Sequence, residues 1–154
     1  MISDRLKSIN KVIIAGGGPM ESLVHERCAT LIDNNRPVEI LGYQNKENAA
    51  KLISWTDYLV IPSRVESIPV ILSDALQLDK PVIATPAGDI PEILEENNLG
   101  LLCTSISADS ISSAIKLAIQ ISPKSFNNDI QLAKSIFNIQ SIAQQLYNDI
   151  KNIK

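Results

Sequence analysis

Histidine and cysteine are nearly missing from this chain. His25 is the single histidine in 154 residues, and the only cysteines, Cys28 and Cys103, lie far apart, inside or beside apolar segments. That scarcity supplies no Cys/His cluster at ligand spacing for a metal centre and no disulfide framework, and it fits reduced thiols in a packed interior. Basic residues are not in excess either: 14 Lys and Arg stand against 17 Asp and Glu, for a net charge of −3 and a pI near 5.1. They are scattered rather than clustered, which argues against a nucleic-acid partner. No apolar run approaches the roughly 18 to 20 residues needed to cross a bilayer. The polar stretch Met1 to Asn10 lacks a signal-peptide pattern. A soluble, cytoplasmic chain is the default these absences leave.

What is present is a balanced globular composition, 45% hydrophobic and 20% charged over 154 residues, enough for one domain spanning residues 1–154 with its own core. Internal repeats, low-complexity tracts and interdomain linkers are absent from the pattern. Lys11 to Ala15 is a continuous apolar run stopped by Gly16-Gly17-Gly18-Pro19 and reads as a buried strand. A helix is expected from Met20 to Asp33, a strand over Pro37 to Gly42, a helix from Lys46 to Trp55 and a strand over Asp57 to Pro62. The pattern continues with a helix from Ile68 to Leu78, whose Pro69 fits only at the start, and a strand from Lys80 to Thr85. A short helix opened by Asp89, a strand over Leu99 to Cys103, and helices over Ala108 to Gln120, Ser125 to Phe137 and Ile139 to Ile153 complete the chain.

Solid apolar strands alternating with helices predict an α/β fold: a Rossmann-like parallel sheet of about five strands flanked by helices, with C-terminal helices added. The stretch after Pro123, rich in Asn, Gln, Ser and Lys, reads as a helical appendage outside the sheet. Ligands of open α/β sheets bind at the carboxyl ends of the strands, so the loops starting at Gly16, Gly42, Pro62 and Thr85 are the candidates. The triple glycine could bring backbone close to an anion at a helix N-terminus, and it is equally well a tight turn. Glu66 and Asp74 sit eight positions apart across a loop-to-helix junction. They could face one crevice as paired carboxylates; alternatively Glu66 favours the helix dipole and Asp74 is a solvated helical residue.

Pro62-Ser63-Arg64-Val65-Glu66-Ser67 through Asp74-Ala75-Leu76, then Lys80 to Thr85, then Gly88-Asp89-Ile90-Pro91-Glu92 and Gly100, resemble the donor-domain signature of family 4, GT-B-type glycosyltransferases. Ile14 to Pro19 and Val38 to Gly42 occur in that family's order and at its spacing, so the likeness runs from about Val12 to Ala118. It implies that Glu66 meets the hydroxyls of the donor sugar and is the catalytic candidate. Ser67, Ile68, Pro69 and Val70 would lie along the sugar and diphosphate, and Asp74 would take the place of the family's second Glu on the ribose. Gly42, Tyr43 and Gln44 would border the base, with Arg64 in the same crevice.

The donor implied is a nucleotide diphosphate sugar, and no metal or other cofactor is required, because carboxylates accept from hydroxyls and a helix N-terminus stabilises the leaving diphosphate. The transfer implied retains anomeric configuration and moves a hexosyl-type sugar to a glycan or lipid. The chain departs from the family at Asp74, which is shorter than Glu; at Pro69, which lacks an N–H; and at Asp89, which replaces a Gly. Asp89 and Glu92 have the spacing of a helix N-cap and its N3 partner. The resemblance also implies that the acceptor-binding N-terminal domain, and the first strand and basic loop of the donor domain, lie outside this chain, which by itself would be inactive. The complete enzyme could touch a membrane peripherally through that domain. The rival expectations are a degenerate domain serving as a scaffold or homo-oligomeric interaction subunit through a sheet edge or apolar helix face, and a non-transferase nucleotide-sugar enzyme such as an epimerase.

Overall fold

The computed structural model describes residues 9–34 and 36–153. They fall into two compact units, residues 1–52 and 53–154. In the first unit, β1 (Val12–Ala15) leads through α1 (Glu21–Asp33) to β2 (Val38–Gly42), and the two strands pair in parallel. Val12 lies opposite Val38 and Ile14 opposite Ile40, with a register irregularity between Ile14 and Ala15. Lys11 and Glu39 form an ion pair beside this ladder. Cys28 is the one buried residue among the described residues of this unit. The helix α2 (Lys46–Trp55) follows, as the apolar spacing of Ala49, Ala50, Leu52 and Ile53 predicts.

The second unit holds a parallel sheet in the order β3-β4-β5, made of Leu59–Ile61, Val82–Ala84 and Gly100–Leu102. The crossovers are α3 (Val70–Gln77) and α4 (Ile90–Asn97), and α5 (Ala108–Ala118) follows β5. All of β4 is buried, as a central parallel strand with both faces covered must be. Its side chains alternate between layers. Val82 and Ala84 join Leu72, Ala75 and Leu76 of α3 and Ile90 and Leu94 of α4 in the larger core. Ile83, between them in sequence, joins Cys103 and, from α5, Ala114 and Ala118 in a smaller one. Gly100 admits no side chain: a Cβ there would lie 1.9 Å from the Val82 carbonyl oxygen.

The strands are shorter than the apolar runs that announced them. Pro62 and Pro81 offer no N–H to a ladder, while Leu99 and Cys103 are buried without belonging to β5. The helix expected over Ser125 to Phe137 is instead a 3-10 turn (Pro123–Phe126), α6 (Asn127–Ala133) and a second 3-10 turn (Lys134–Phe137). It is not an appendage, because Phe126, Ile130 and Ala133 are part of the larger core. Tyr58 packs edge-on against Phe126 with ring centroids 6.2 Å apart, and its hydroxyl donates to the Ile121 carbonyl at 3.1 Å. Asp79, in the left-handed region at φ 61°, binds Lys134 at 2.6 Å and accepts from Gln131, tying the turn after α3 to the C-terminal segment. The last helix, α7 (Ile139–Asn152), has no buried residue. Among the described residues no helix is long and apolar enough to cross a membrane.

Candidate functional site

The loops at the carboxyl ends of β3 and β4 are joined to each other. Thr85, directly after β4, is fully buried; its backbone N–H donates to the Ile61 carbonyl at 3.1 Å, and its hydroxyl donates to the Ser63 carbonyl at 2.5 Å. Ser63 in turn donates its hydroxyl to Oε1 of Glu66 at 2.6 Å, a local side-chain bond across three residues. The Ser67 carbonyl accepts the Asp89 N–H at 3.2 Å. Gly88 presses on the same backbone: at φ 56°, a Cβ built on it would lie 2.2 Å from the Glu66 carbonyl oxygen and 2.7 Å from that of Ser67. Residues 63–67 are therefore clamped from one side by residues 85–89.

Glu66 is half-buried, with one carboxylate oxygen held by Ser63 and further lone pairs free to accept. Ser67 and Ile68 are exposed, Pro69 is buried at the N-cap of α3 in extended conformation, and Val70 is exposed at the first helical position. In the first turn of α3 the Leu72 N–H donates to the Pro69 carbonyl at 3.0 Å, and the N–H groups of Val70 and Ile71 lie at the positive helix end. Arg64 is exposed. Asp74 is exposed on α3, whose Leu72, Ala75 and Leu76 are buried, and the hydrogen bonds that hold Glu66 do not involve it. Asp89 occupies the N-cap position of α4, but its side chain makes no capping bond. The cap-and-partner expectation for Asp89 and Glu92 fails because Asp89 adopts φ −89°, ψ 4° rather than the extended geometry that aims a cap oxygen at the helix N–H groups.

In the first unit, the loops after β1 and β2 also meet, through the Gly16 N–H bonded to the Gly42 carbonyl at 2.7 Å. Gly42 has φ 59°, Tyr43 is 85% exposed, and Gln44 donates to the Leu41 carbonyl at 2.7 Å. The Glu21 carboxylate lies against both glycine loops, 3.6 Å from a Cβ built on Gly17 and 3.7 Å from one on Gly42. Thr85 opens one of the loops expected to bind ligand and Gly88 stands in the family-like motif, but the sequence assigns no role to either side chain, and Glu21 is not singled out at all.

Burial, aided by the Asp57 carboxylate, raises the Tyr58 hydroxyl, and burial raises the Cys103 thiol against a hydrogen bond from Ser110 that lowers it. Among the described residues no three His, Cys, Asp or Glu side chains gather as metal ligands.

Parallel strands with helical crossovers, and loops gathered at the strands' carboxyl ends, define the Rossmann-like domain of the GT-B class. The chain belongs to the family described as Glycosyl transferases group 1, whose model matches residues 2–133. Anabaena HepE, solved in complex with UDP and glucose, superimposes with a TM-score of 0.74 over 97% of this chain and 44% of its own, at 20% identity. In sequence, the chain is 31% identical over 93 residues to the N-acetyl-alpha-D-glucosaminyl L-malate synthase of Bacillus anthracis, covering 60% of this chain and 24% of that protein. It is 26% identical over 153 residues to the putative colanic acid biosynthesis glycosyltransferase WcaL of Salmonella typhimurium, covering 91% of this chain and 37% of the relative. It thus spans between a quarter and two fifths of these two relatives.

Proposed function

We propose that this chain is the donor-binding domain of a retaining, family 4 glycosyltransferase that moves a hexosyl-type sugar from a nucleotide diphosphate to a glycan or lipid acceptor. The observation that carries the reading is the Glu66 carboxylate, oriented by Ser63 on the loop after β3 in a chain of this transferase family. In this reading Glu66 accepts from the sugar hydroxyls, and the first-turn N–H groups of α3, from Val70 onward, stabilise the diphosphate. Ser67, Ile68 and Pro69 line that path, with Arg64 beside it, and Asp74 takes the ribose; for the base, the family resemblance alone proposes Gly42, Tyr43 and Gln44 of the first unit. No resident metal is invoked in this reading: the carboxylates accept from hydroxyls, and the diphosphate charge falls to the positive end of α3 together with the upstream basic loop. The acceptor site belongs to an N-terminal domain, in the same chain or another, and the basic loop to the upstream part of the donor domain itself; the complete enzyme works at the cytoplasmic side, with peripheral membrane contact made by the acceptor domain.

The test is titration of the 154-residue chain with UDP-glucose and UDP, followed by amide chemical shifts. Shifts at residues 66–70 that saturate with UDP-glucose, unchanged by EDTA, are the expected result; a silent titration at millimolar ligand sinks the autonomous-binding form. In a longer protein carrying the acceptor domain, Glu66→Ala should lose most transfer, and wild-type turnover would remove Glu66 from the site.

One feature favours a second role in association. Along α7, Ile139, Ile142, Leu146 and Ile150 form an apolar stripe, all exposed. Light scattering of the chain should report a homo-oligomer that Leu146→Asp returns to monomer; a monomeric wild type removes this role.

A further inference from the structure

We infer that Thr85 is a positioning residue for Glu66, acting through Ser63 and never touching ligand itself; the inference rests on the donor-binding reading above. Thr85 is fully buried directly after the central strand β4, all three residues of which are buried. A buried hydroxyl has to find an acceptor, and two carbonyls lie within reach: Ile61 at 3.3 Å and Ser63 at 2.5 Å. The Ile61 carbonyl already receives the Thr85 N–H. The single hydroxyl proton goes to the nearer acceptor, the Ser63 carbonyl, beyond the end of β3 and outside the strand ladder. That bond fixes the Ser63 peptide, and with it the origin of the Ser63 side chain whose own hydroxyl holds Oε1 of Glu66.

The order of the relay is thus rigid strand, buried hydroxyl, loop carbonyl, loop hydroxyl, carboxylate. Two of its links are directional hydrogen bonds and the others are covalent, so the carboxylate takes its orientation from β4 as well as from its own loop. Gly88 and the Asp89 N–H hold the other end of the segment at Glu66 and Ser67. The Thr85 hydroxyl is the part of the clamp on the β4 side that a near-isosteric substitution can delete without moving backbone. Valine keeps the volume and branching of threonine and removes the proton; serine keeps the proton.

The experiment compares wild type, Thr85→Val, Thr85→Ser, Glu66→Gln and the Thr85→Val/Glu66→Gln double variant of the 154-residue chain. It measures backbone order parameters at residues 63–67, the carbon shift of the Ser63 carbonyl, melting temperature, and affinity for UDP and UDP-glucose. Expected in Thr85→Val are order parameters at residues 63–67 that fall from the rigid range of about 0.85 toward about 0.6 and a shifted Ser63 carbonyl, both restored in Thr85→Ser, with a five- to tenfold loss of UDP-glucose affinity and UDP affinity unchanged. In the Glu66→Gln background the same valine substitution should cost no further affinity. Unaltered order parameters and an unaltered Ser63 carbonyl in Thr85→Val overturn the inference. So does an equal loss for UDP and UDP-glucose that persists without the Glu66 carboxylate, because that pattern is general destabilisation. If wild type binds neither ligand, the donor-binding reading falls, and the positioning relay is judged on the order parameters, the Ser63 carbonyl and the serine rescue alone.

Discussion

At the residue scale, the clamp between the loops after β3 and β4 depends on two positions whose side chains are minimal or hidden. Gly88 meets two demands at once, a left-handed φ of 56° and a space in which Cβ would overlap the Glu66 carbonyl oxygen at 2.2 Å. Alanine satisfies neither. Gly88→Ala should therefore lower stability by about 1–3 kcal/mol from backbone strain alone. It should also push the Glu66–Ser67 peptide outward, read as a lower melting temperature together with large shifts of the Glu66 and Ser67 amides. A second expectation concerns pH. Tyr58 and Cys103 both hold their protons to higher pH in the folded chain than in the unfolded one, Tyr58 through burial and Asp57, and Cys103 through burial. The stability they contribute is complete below the ordinary thiol and phenol values of 9.0 and 10.0 and is lost as pH rises through the raised folded values. Urea midpoints should fall above about pH 9, and less so in Cys103→Ala; a flat alkaline profile contradicts the assignment.

At the scale of elements, side-chain caps and buried patterns decide where helices begin. The α5 helix opens at Ser107, whose hydroxyl accepts the Ser110 N–H at 3.2 Å, while the Ser110 hydroxyl accepts the Ser105 N–H at 3.1 Å. Ser107→Ala should cost about 1 kcal/mol, seen as a lower urea midpoint with unchanged slope. The contrast with α4 is instructive, because Asp89 stands at the corresponding position and its N–H serves Ser67 while its carboxylate caps nothing. Spacing alone could not separate these helix starts. The region 123–137 shows the same limit: Pro123 was visible as a starting point, but the split into 3-10 turns around α6 follows from Phe126, Ile130 and Ala133 being pinned to the core. That is tertiary packing overriding a run that reads as one amphipathic helix.

At the scale of the whole molecule, the two units differ in how much they bury. Among the described residues of 1–52 only Cys28 is buried, whereas the second unit encloses β4, Leu72, Leu76, Ile90 and Leu99 almost completely. Local stability follows buried apolar contact. Amides of β1 and β2 should accordingly exchange roughly tenfold or more faster than those of β4, since each ~1.4 kcal/mol of local stability is a factor of ten. Uniform protection across both units would contradict this. Assembly with a partner domain should narrow the difference if that partner covers the first unit, by mass action on the folded form.

The order of strands and helices was written in the sequence because it depends on local periodicity: β1 to β5 and α1 to α5 all lie where apolar runs and amphipathic spacing put them, within one or two residues at most ends. The motif from Pro62 to Glu92 likewise carried the family in its residue order. Three matters required the folded chain. The five strands form two hydrogen-bonded groups, β1-β2 and β3-β4-β5, and pairing between strands distant in sequence leaves no local mark. Thr85 and Ile130 are buried through contacts with residues distant in sequence, Thr85 against the end of β3 and Ile130 in the larger core. The clamp on Glu66 joins residues 63–67 to 85–89 through backbone carbonyls and a glycine. Carbonyl oxygens are identical in every residue, so a sequence can declare the carboxylate, but only tertiary structure decides what holds it.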